Sequence, residues 1–510
     1  MGRSRWWHLV LAVVLAATVV GCRREVMIPE FDPGSEISEV REEGAQPAKS
    51  APAGGQAAAA SGPTRVPVTP SPTPTRVPPS TTATTYTVQR GDTLLRIAAL
   101  YGTTVESLMR INNLANADQL TAGQVLQVSM NAEHVSPSDR VVPDSEVVYG
   151  PGHTEFDVAE EVARHPGLLN GYVETVGVRD MTGAEIVDLV AQQYSVGPRV
   201  LLALLELRGG WLSNANPTPT QQLYPLGFMR GVYWEGLYRQ LSQAANALNT
   251  GFYGWWLDEL WLVQTADGGW VQFSPDISAG TAAVQKALAD TTGSYETLCA
   301  DLAAFMETYV ALFGDPFDYA VEPLIPPQTE VPALALPWPE GETWYYTGGP
   351  HPGWGTLGAF SAVDFVTGEE NIGCQVSTGW VTAAADGLVV VSEDGMVLQD
   401  LDGDGAIGTG WVILYMHIAA DGRVEPGAWL NEGERVGHPS CEGGVSNASH
   451  VHIARRLNGV WIPTDDERWP MMLSGWMPVS TDTPYEGTLV RDGEVRTACE
   501  CWDAVNAVTH

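Results

Sequence analysis

Asn447-Ala448-Ser449-His450-Val451-His452-Ile453-Ala454 sets two histidines two residues apart at the entrance to a β-leaning run. Side chains at i and i+2 of a strand point to the same face, so both imidazoles reach one small volume. That is the geometry of a metal ligand beside a catalytic base, although a surface strand also carries such pairs by chance. The surroundings add weight: His351, His417, His438, His450 and His452, half of the chain's ten histidines, fall within about a fifth of its length. Around them, short β-rich runs such as Leu388-Val389-Val390-Val391 and Trp411-Val412-Ile413-Leu414-Tyr415 alternate with turns at Glu393-Asp394-Gly395 and Asp421-Gly422. This texture predicts antiparallel sheets whose loops supply the site.

The chain has 510 residues, enough for two to four domains, and 44% hydrophobic content, enough for a buried core. Its formal charge of −35 excludes nucleic acid as a partner, because no basic surface is available to neutralise phosphates. The acidity suits an exported protein and identifies no substrate.

Arg3 and Arg5 followed by an apolar stretch at 9–20 read as a targeting segment too short to span a bilayer. It ends in Val19-Val20-Gly21-Cys22, which resembles the lipobox of bacterial lipoproteins. The resemblance implies a signal peptide at 1–21, lipid modification of Cys22, and a protein anchored to the cell membrane facing the cell wall. An ordinary secretory signal with an incidental cysteine is the alternative. Export permits disulfides. Beyond Cys22 the chain has Cys299, Cys374, Cys441, Cys499 and Cys501, an odd number that leaves one thiol over. Cys374 and Cys441 bracket the histidine region and would staple it, but the connectivity stays open.

Residues 22–85 are dominated by Pro, Ala, Ser, Thr and Gly, as in Val66-Pro67-Val68-Thr69-Pro70. Such a segment buries too little apolar surface to offset its ordering entropy, and reads as a disordered tether. At 86–130 a compact βααβ unit follows. Tyr86-Thr87-Val88 is a strand, Gly91-Asp92-Thr93 caps a helix over 94–100, a second helix covers 105–111, and Val125-Leu126-Gln127-Val128 closes the unit. With Asn112-Asn113-Leu114 and Gly123-Gln124, it resembles a LysM domain. That implies binding to N-acetylglucosamine-containing glycans such as peptidoglycan.

Residues 150–326 read as mainly α-helical, with helices at 186–194 and 200–207 and a Leu-rich one within 298–312. The run from Pro198 to Trp211 faintly resembles the helix of lytic transglycosylases that carries a catalytic glutamate. Arg208 stands where that acid belongs, and Glu206 is two positions away, on roughly the opposite side of a helix. The tryptophans here are therefore read mostly as core. An active glycosidase is not expected, while an aromatic glycan-binding groove stays open.

In the last domain, 340–510, four elements occur in order: Gly348-Gly349-Pro350-His351, Ala362-Val363-Asp364-Phe365, Leu414-Tyr415-Met416-His417 and Ser449-His450-Val451-His452. Together they resemble the lysostaphin and β-lytic class of zinc endopeptidases. The His-x-x-x-Asp form of the family is absent, since Phe360 stands four before Asp364. The β-lytic form, with its first histidine after Gly-Gly and thirteen residues ahead of the aspartate, matches His351 and Asp364. The resemblance implies Zn²⁺ held by His351, Asp364 and His452. It gives His417 and His450 the work of orienting or deprotonating a water and stabilising the oxyanion. No His-Glu-x-x-His motif is present, so no glutamate base is expected. His438 is read as structural. Asp400-Leu401-Asp402-Gly403-Asp404-Gly405 resembles the start of a calcium loop, but Trp411 occupies the twelfth position, which favours an acidic turn.

The expected protein is thus multidomain α+β: a LysM unit, a helical middle domain and a mainly antiparallel-β metallopeptidase domain. Its expected function is hydrolysis of peptide bonds in the cross-links or stem peptides of peptidoglycan. The rivals are a non-catalytic regulator of other wall hydrolases, a glycan-cleaving enzyme acting through the middle domain, and a pure binding or scaffold protein.

Overall fold

The computed structural model describes residues 84–510, except positions 89–91, 102, 104, 115, 118–119, 129–131, 133, 230–231, 370–372 and 482. The signal segment, Cys22 and nearly all of the tether lie outside the described residues. No helix among those described is long and apolar enough to cross a membrane.

The first unit contains β1 (Thr84–Thr87), α1 (Leu94–Leu100), α2 (Val105–Ile111) and β2 (Val125–Val128). β1 and β2 pair antiparallel with Tyr86 opposite Leu126, and Leu94, Ile97, Leu108, Leu126 and Val128 fill the space beneath. Asn112 fastens the end of α2 to β2: its Nδ2 donates to the Gln127 carbonyl at 2.8 Å and its Oδ1 accepts from Gln127 N at 2.6 Å.

A helical unit follows. It opens with the strand His134–Val135, which pairs in parallel with Trp270–Gln272. Its main helices are α3 (Gly183–Tyr194), α4 (Pro198–Gly209), α5 (Leu237–Trp256), α6 (Ala279–Ala289) and α7 (Tyr295–Phe313). A capping box between Thr182 and Glu185 starts α3. Pro198 stands in the first turn of α4, and Gly210 ends that helix in the left-handed conformation. Trp211, Trp255 and Trp261 are buried, Trp255 meeting Trp261 edge-on at 5.0 Å. Trp234, Trp256 and Trp270 are half-buried against the same core. Glu206 closes the end of α4 by accepting from Leu212 N, Ser213 N and the Ser213 hydroxyl. Arg208 pairs with Asp301 at 2.7 Å.

The C-terminal unit is built on β3 (Thr343–Pro352), β4 (Phe360–Val366), β5 (Gly387–Glu393), β6 (Met396–Asp400), β7 (Trp411–Met416), β8 (Trp429–Leu430), β9 (Val451–Leu457) and β10 (Ala507–Thr509). They form one antiparallel sheet in the order β8-β5-β6-β7-β9-β4-β3-β10, with the short strand Val460–Trp461 folded back on β9. Both faces are covered. Val363, Phe365, Ile413, Tyr415, Val451 and Ile453 pack on one side with Trp338, Trp344 and Trp476. On the other side, Ala362, Leu398, Leu414 and Ala454 join the core of the helical unit. Leu334, Leu336 and Trp338, which precede β3 in the chain, are buried in the first of these layers. Asp364 and His452 alternate in phase with Ala362 and Ala454, and so lie at the edge of the face that the helices cover.

Disulfides join Cys374 to Cys441 and Cys499 to Cys501, while Cys299 is a free thiol.

Candidate metal centre

β4, β9 and β3 are neighbours, and register brings their polar side chains together. His452 stands opposite Asp364, and Gly348 opposite Asp364 on the other side. Irregular pairing of β3 between Gly348 and His351 turns His351 toward the same point. Gly348 has no alternative here, because a Cβ would lie 2.3 Å from Asp364 Oδ2.

His351 Nε2, His452 Nδ1 and Asp364 Oδ1 converge. The two nitrogens are 2.9 Å apart, and the oxygen is 3.4 Å from His351 Nε2 and 3.2 Å from His452 Nδ1. Three tetrahedral ligands at typical zinc distances are about 3.3 Å from one another. The outer nitrogens are committed: His351 Nδ1–H donates to the Gly349 carbonyl at 2.7 Å and His452 Nε2–H to the Gly353 carbonyl at 3.0 Å. A carbonyl only accepts, so each outer nitrogen carries the proton and each inner one presents a lone pair. Asp364 Oδ1 is buried with no hydrogen-bond partner. Two facing lone pairs and an orphaned carboxylate oxygen need a cation, and the donor set suits zinc with a fourth position left for water.

His417 and His450 flank this group. Their rings lie 4.3 Å apart, and His450 Nε2 is 3.8 Å from Asp364 Oδ1. His417 follows β7 with φ +65°, a left-handed backbone uncommon outside glycine. Its Nδ1–H donates to the Glu442 carbonyl at 3.1 Å, and His450 Nδ1–H to the Ala448 carbonyl at 2.8 Å. Both therefore present Nε2 as an acceptor.

Burial pushes the His417 imidazole well below the usual 6.5, and the neighbouring His450 and His452 rings push it further. Burial likewise lowers His452, against the pull of Asp364. For Asp364, burial alone raises the carboxyl, but the neighbouring His351, His450 and His452 rings outweigh it and hold it well below the usual carboxylate range. An ionised carboxylate beside the depressed imidazoles of His417 and His452 is in the protonation state that metal binding requires.

All five residues singled out in the sequence thus meet at one point. His438 lies apart, donating to the Gly379 carbonyl at 2.7 Å and packed on Trp380 at 3.8 Å. Asp400, Asp402 and Asp404 bring carboxylate oxygens within 4.8 Å of one another. Asp400 accepts from Asp402 N, Gly403 N and Gly405 N, and Asp404 from Ala406 N and the Thr409 hydroxyl, as in a tight acidic turn. Sequence reasoning missed Tyr485, whose ring stacks on His351 at 4.1 Å and whose carbonyl accepts from Gly349 N at 2.8 Å. It lies in a polar loop far along the chain, with no motif to mark it.

Residues 86–129 match the family model of the LysM domain. Residues 86–129 are a LysM domain. Residues 140–327 match the model of the LasA N-terminal domain. Among curated proteins, the chain is 31% identical over 116 residues to the N-acetylmuramoyl-L-alanine amidase XlyA of Bacillus subtilis (strain 168). That match covers 22% of this chain and 39% of XlyA, so the chain spans well under half of that relative. Among solved structures it is similar to the deep-sea M23 metalloprotease pseudoalterin, at 23% identity over 33% of this chain and 96% of that one, with a TM-score of 0.28. It is also similar to the catalytic domain of lysostaphin from Staphylococcus simulans, at 24% identity over 24% of this chain and 90% of that one, with a TM-score of 0.18. The LysM domain stands ahead of the helical unit and the metal centre in the chain.

Proposed function

We propose that the chain is a zinc endopeptidase that hydrolyses peptide bonds of bacterial peptidoglycan. The observation that carries this reading is the meeting of His351 Nε2, His452 Nδ1 and the orphaned Asp364 Oδ1, with two further Nε2 atoms beside them. A zinc ion held by these three residues supplies Lewis acidity and a water of lowered pKa. The chain's own residues do the rest. His417 and His450, each with Nδ1 committed to a carbonyl and Nε2 facing the site, accept a proton from the attacking water and return one to the leaving amine. The ring that has taken the water's proton at Nε2 then donates that N–H to the oxyanion.

The substrate follows from the LysM domain, whose class binds N-acetylglucosamine-containing glycans, and the partial likeness to XlyA supports the same polymer. Holding the enzyme on its polymer raises the local concentration of cleavable bonds. The domain division we propose is a lipoprotein signal at 1–21, lipidation at Cys22, a tether at 22–85, the LysM unit at 86–130, the helical domain at 150–326 and the peptidase domain at 340–510. The protein is then exported and anchored facing the wall.

The test is incubation with purified peptidoglycan, with and without a zinc chelator, while free amines and reducing sugar ends are quantified in parallel. Chelator-sensitive amine release is expected. Sugar ends alone would move the chemistry to the helical domain. Neither product, with binding retained, would make the chain a regulator of other hydrolases.

A further inference from the structure

We propose that the helical domain braces the metal centre: Tyr194, Asn246 and Tyr253 hold the loop whose Gly353 carbonyl fixes the outer nitrogen of His452. Gly353 lies flat on the indole of Trp461, so close that a Cβ would come within 2.6 Å of that ring and 2.5 Å of Ser361 Oγ. The position of Trp461 therefore sets the position of the Gly353 carbonyl. The helices in turn set Trp461. Its backbone N–H donates to the Tyr253 hydroxyl at 2.8 Å, and its indole N–H to the Tyr194 carbonyl at 3.2 Å. That carbonyl also accepts from Asn249 Nδ2 at 2.9 Å, which ties α3 to α5 at this point.

The loop beyond Gly353 is gripped from the same side. Trp354 meets Tyr194 edge-on at 6.4 Å. Thr356 N donates to Asn246 Oδ1 at 3.1 Å, and Gly355 passes so near that a Cβ would sit 2.4 Å from the same oxygen. Gly353 is thus fixed from below by Trp461 and from its C-terminal side by Asn246, and both constraints originate in the helical domain.

An orienting hydrogen bond to a metal-bound imidazole sets its tautomer and direction, and its loss weakens metal binding about 10–100-fold. Here that hydrogen bond is provided by one domain and positioned by another. Tyr194, Asn246 and Tyr253 are positioning residues that act through Gly353, and the helical domain contributes to how tightly the zinc is retained.

This inference rests on the zinc reading above, and the test separates the two. In the full chain, Asn246→Ala and Tyr253→Phe are made singly and together, with Ser195→Ala as a control. Ser195 bonds across the same domain interface, to the Gly459 carbonyl at 2.7 Å, without touching the braced loop. Zinc affinity is measured by competition with a chromogenic chelator. The double variant is expected to bind zinc about tenfold more weakly, and Ser195→Ala within about twofold of the unaltered chain. Equal affinity in all three would overturn the brace and leave the zinc reading standing. An equal loss in Ser195→Ala would also overturn it, because general loosening of the interface would then suffice. No zinc bound by the unaltered chain would remove the metal reading itself. If the double variant does not fold, Tyr253→Phe alone carries the test, with a loss expected beyond the twofold margin allowed to Ser195→Ala.

Discussion

His351 Nε2 and His452 Nδ1 face one another across 2.9 Å, and each ring has already given its other N–H to a backbone carbonyl. Neither ring can relieve the approach by changing tautomer without losing that bond. A cation between them and Asp364 Oδ1 removes the conflict. Zinc should therefore stabilise the fold by mass action, by about 4 kcal/mol at a thousandfold excess over Kd. Thermal unfolding with and without zinc should show the rise, and Asp364→Asn or His452→Ala should abolish it.

The two histidines outside the ligand set should behave differently. His417→Ala and His450→Ala keep all three ligand atoms, so each should retain zinc while kcat for amine release falls about 10²–10⁴-fold. Loss of zinc from either variant would move that residue into the metal shell.

Gly348→Ala should act at a distance of one strand. The added methyl collides with the Asp364 carboxylate, so the variant should fold and lose most of its zinc affinity. Chelator competition together with circular dichroism separates that outcome from simple unfolding.

The Cys374–Cys441 disulfide supports both catalytic candidates at once. Cys441 precedes Glu442, whose carbonyl accepts from His417. Cys374 lies between Gly373 and Gln375, whose carbonyls accept from the backbone N and hydroxyl of Ser449, the residue before His450. Replacing both cysteines by serine should cost about 4 kcal/mol, the loop-closure value for a bridge spanning 67 residues. Misplacement of the histidines should lower kcat by up to about 10²-fold with zinc retained. Denaturant unfolding and steady-state kinetics on the same preparation read both effects.

Three buried histidines, His153, His417 and His452, titrate below their ordinary value of 6.5, chiefly through burial. Each binds fewer protons in the folded than in the unfolded chain. The part of the metal-free protein's stability that these rings contribute should be full above pH 6.5 and decline as pH falls below it, while the Asp188 and Asp402 carboxyls, raised by burial to about 6, act in the opposite sense. The difference between the urea midpoints of the unaltered chain and of His153→Gln, followed from pH 8 to pH 5, isolates one ring, and a constant difference would contradict its burial as a neutral group.

The LysM unit was legible almost residue by residue, because its helices at 94–100 and 105–111 and its strand at 125–128 follow from local caps and periodicity. The five residues of the candidate centre were legible as types in order, and the structure brings them together. Their carbonyl partners at Gly349, Gly353, Glu442 and Ala448 were not, because a backbone carbonyl has no identity in a sequence. The second layer on the C-terminal sheet left a signal that went unread. Trp411-Val412-Ile413-Leu414-Tyr415-Met416 is apolar at every position and buried at every position, the pattern of a strand covered on both faces. Tyr485 left none.

The most direct test of the account is amine release from peptidoglycan by metal-free protein as zinc is added in known equivalents. The ligand atoms of His351, Asp364 and His452 lie within 4.8 Å of one another, room for a single ion, so activity should rise in proportion to zinc and reach its plateau at one equivalent per chain. Amine release before any metal is added, or none at any zinc level, would contradict it.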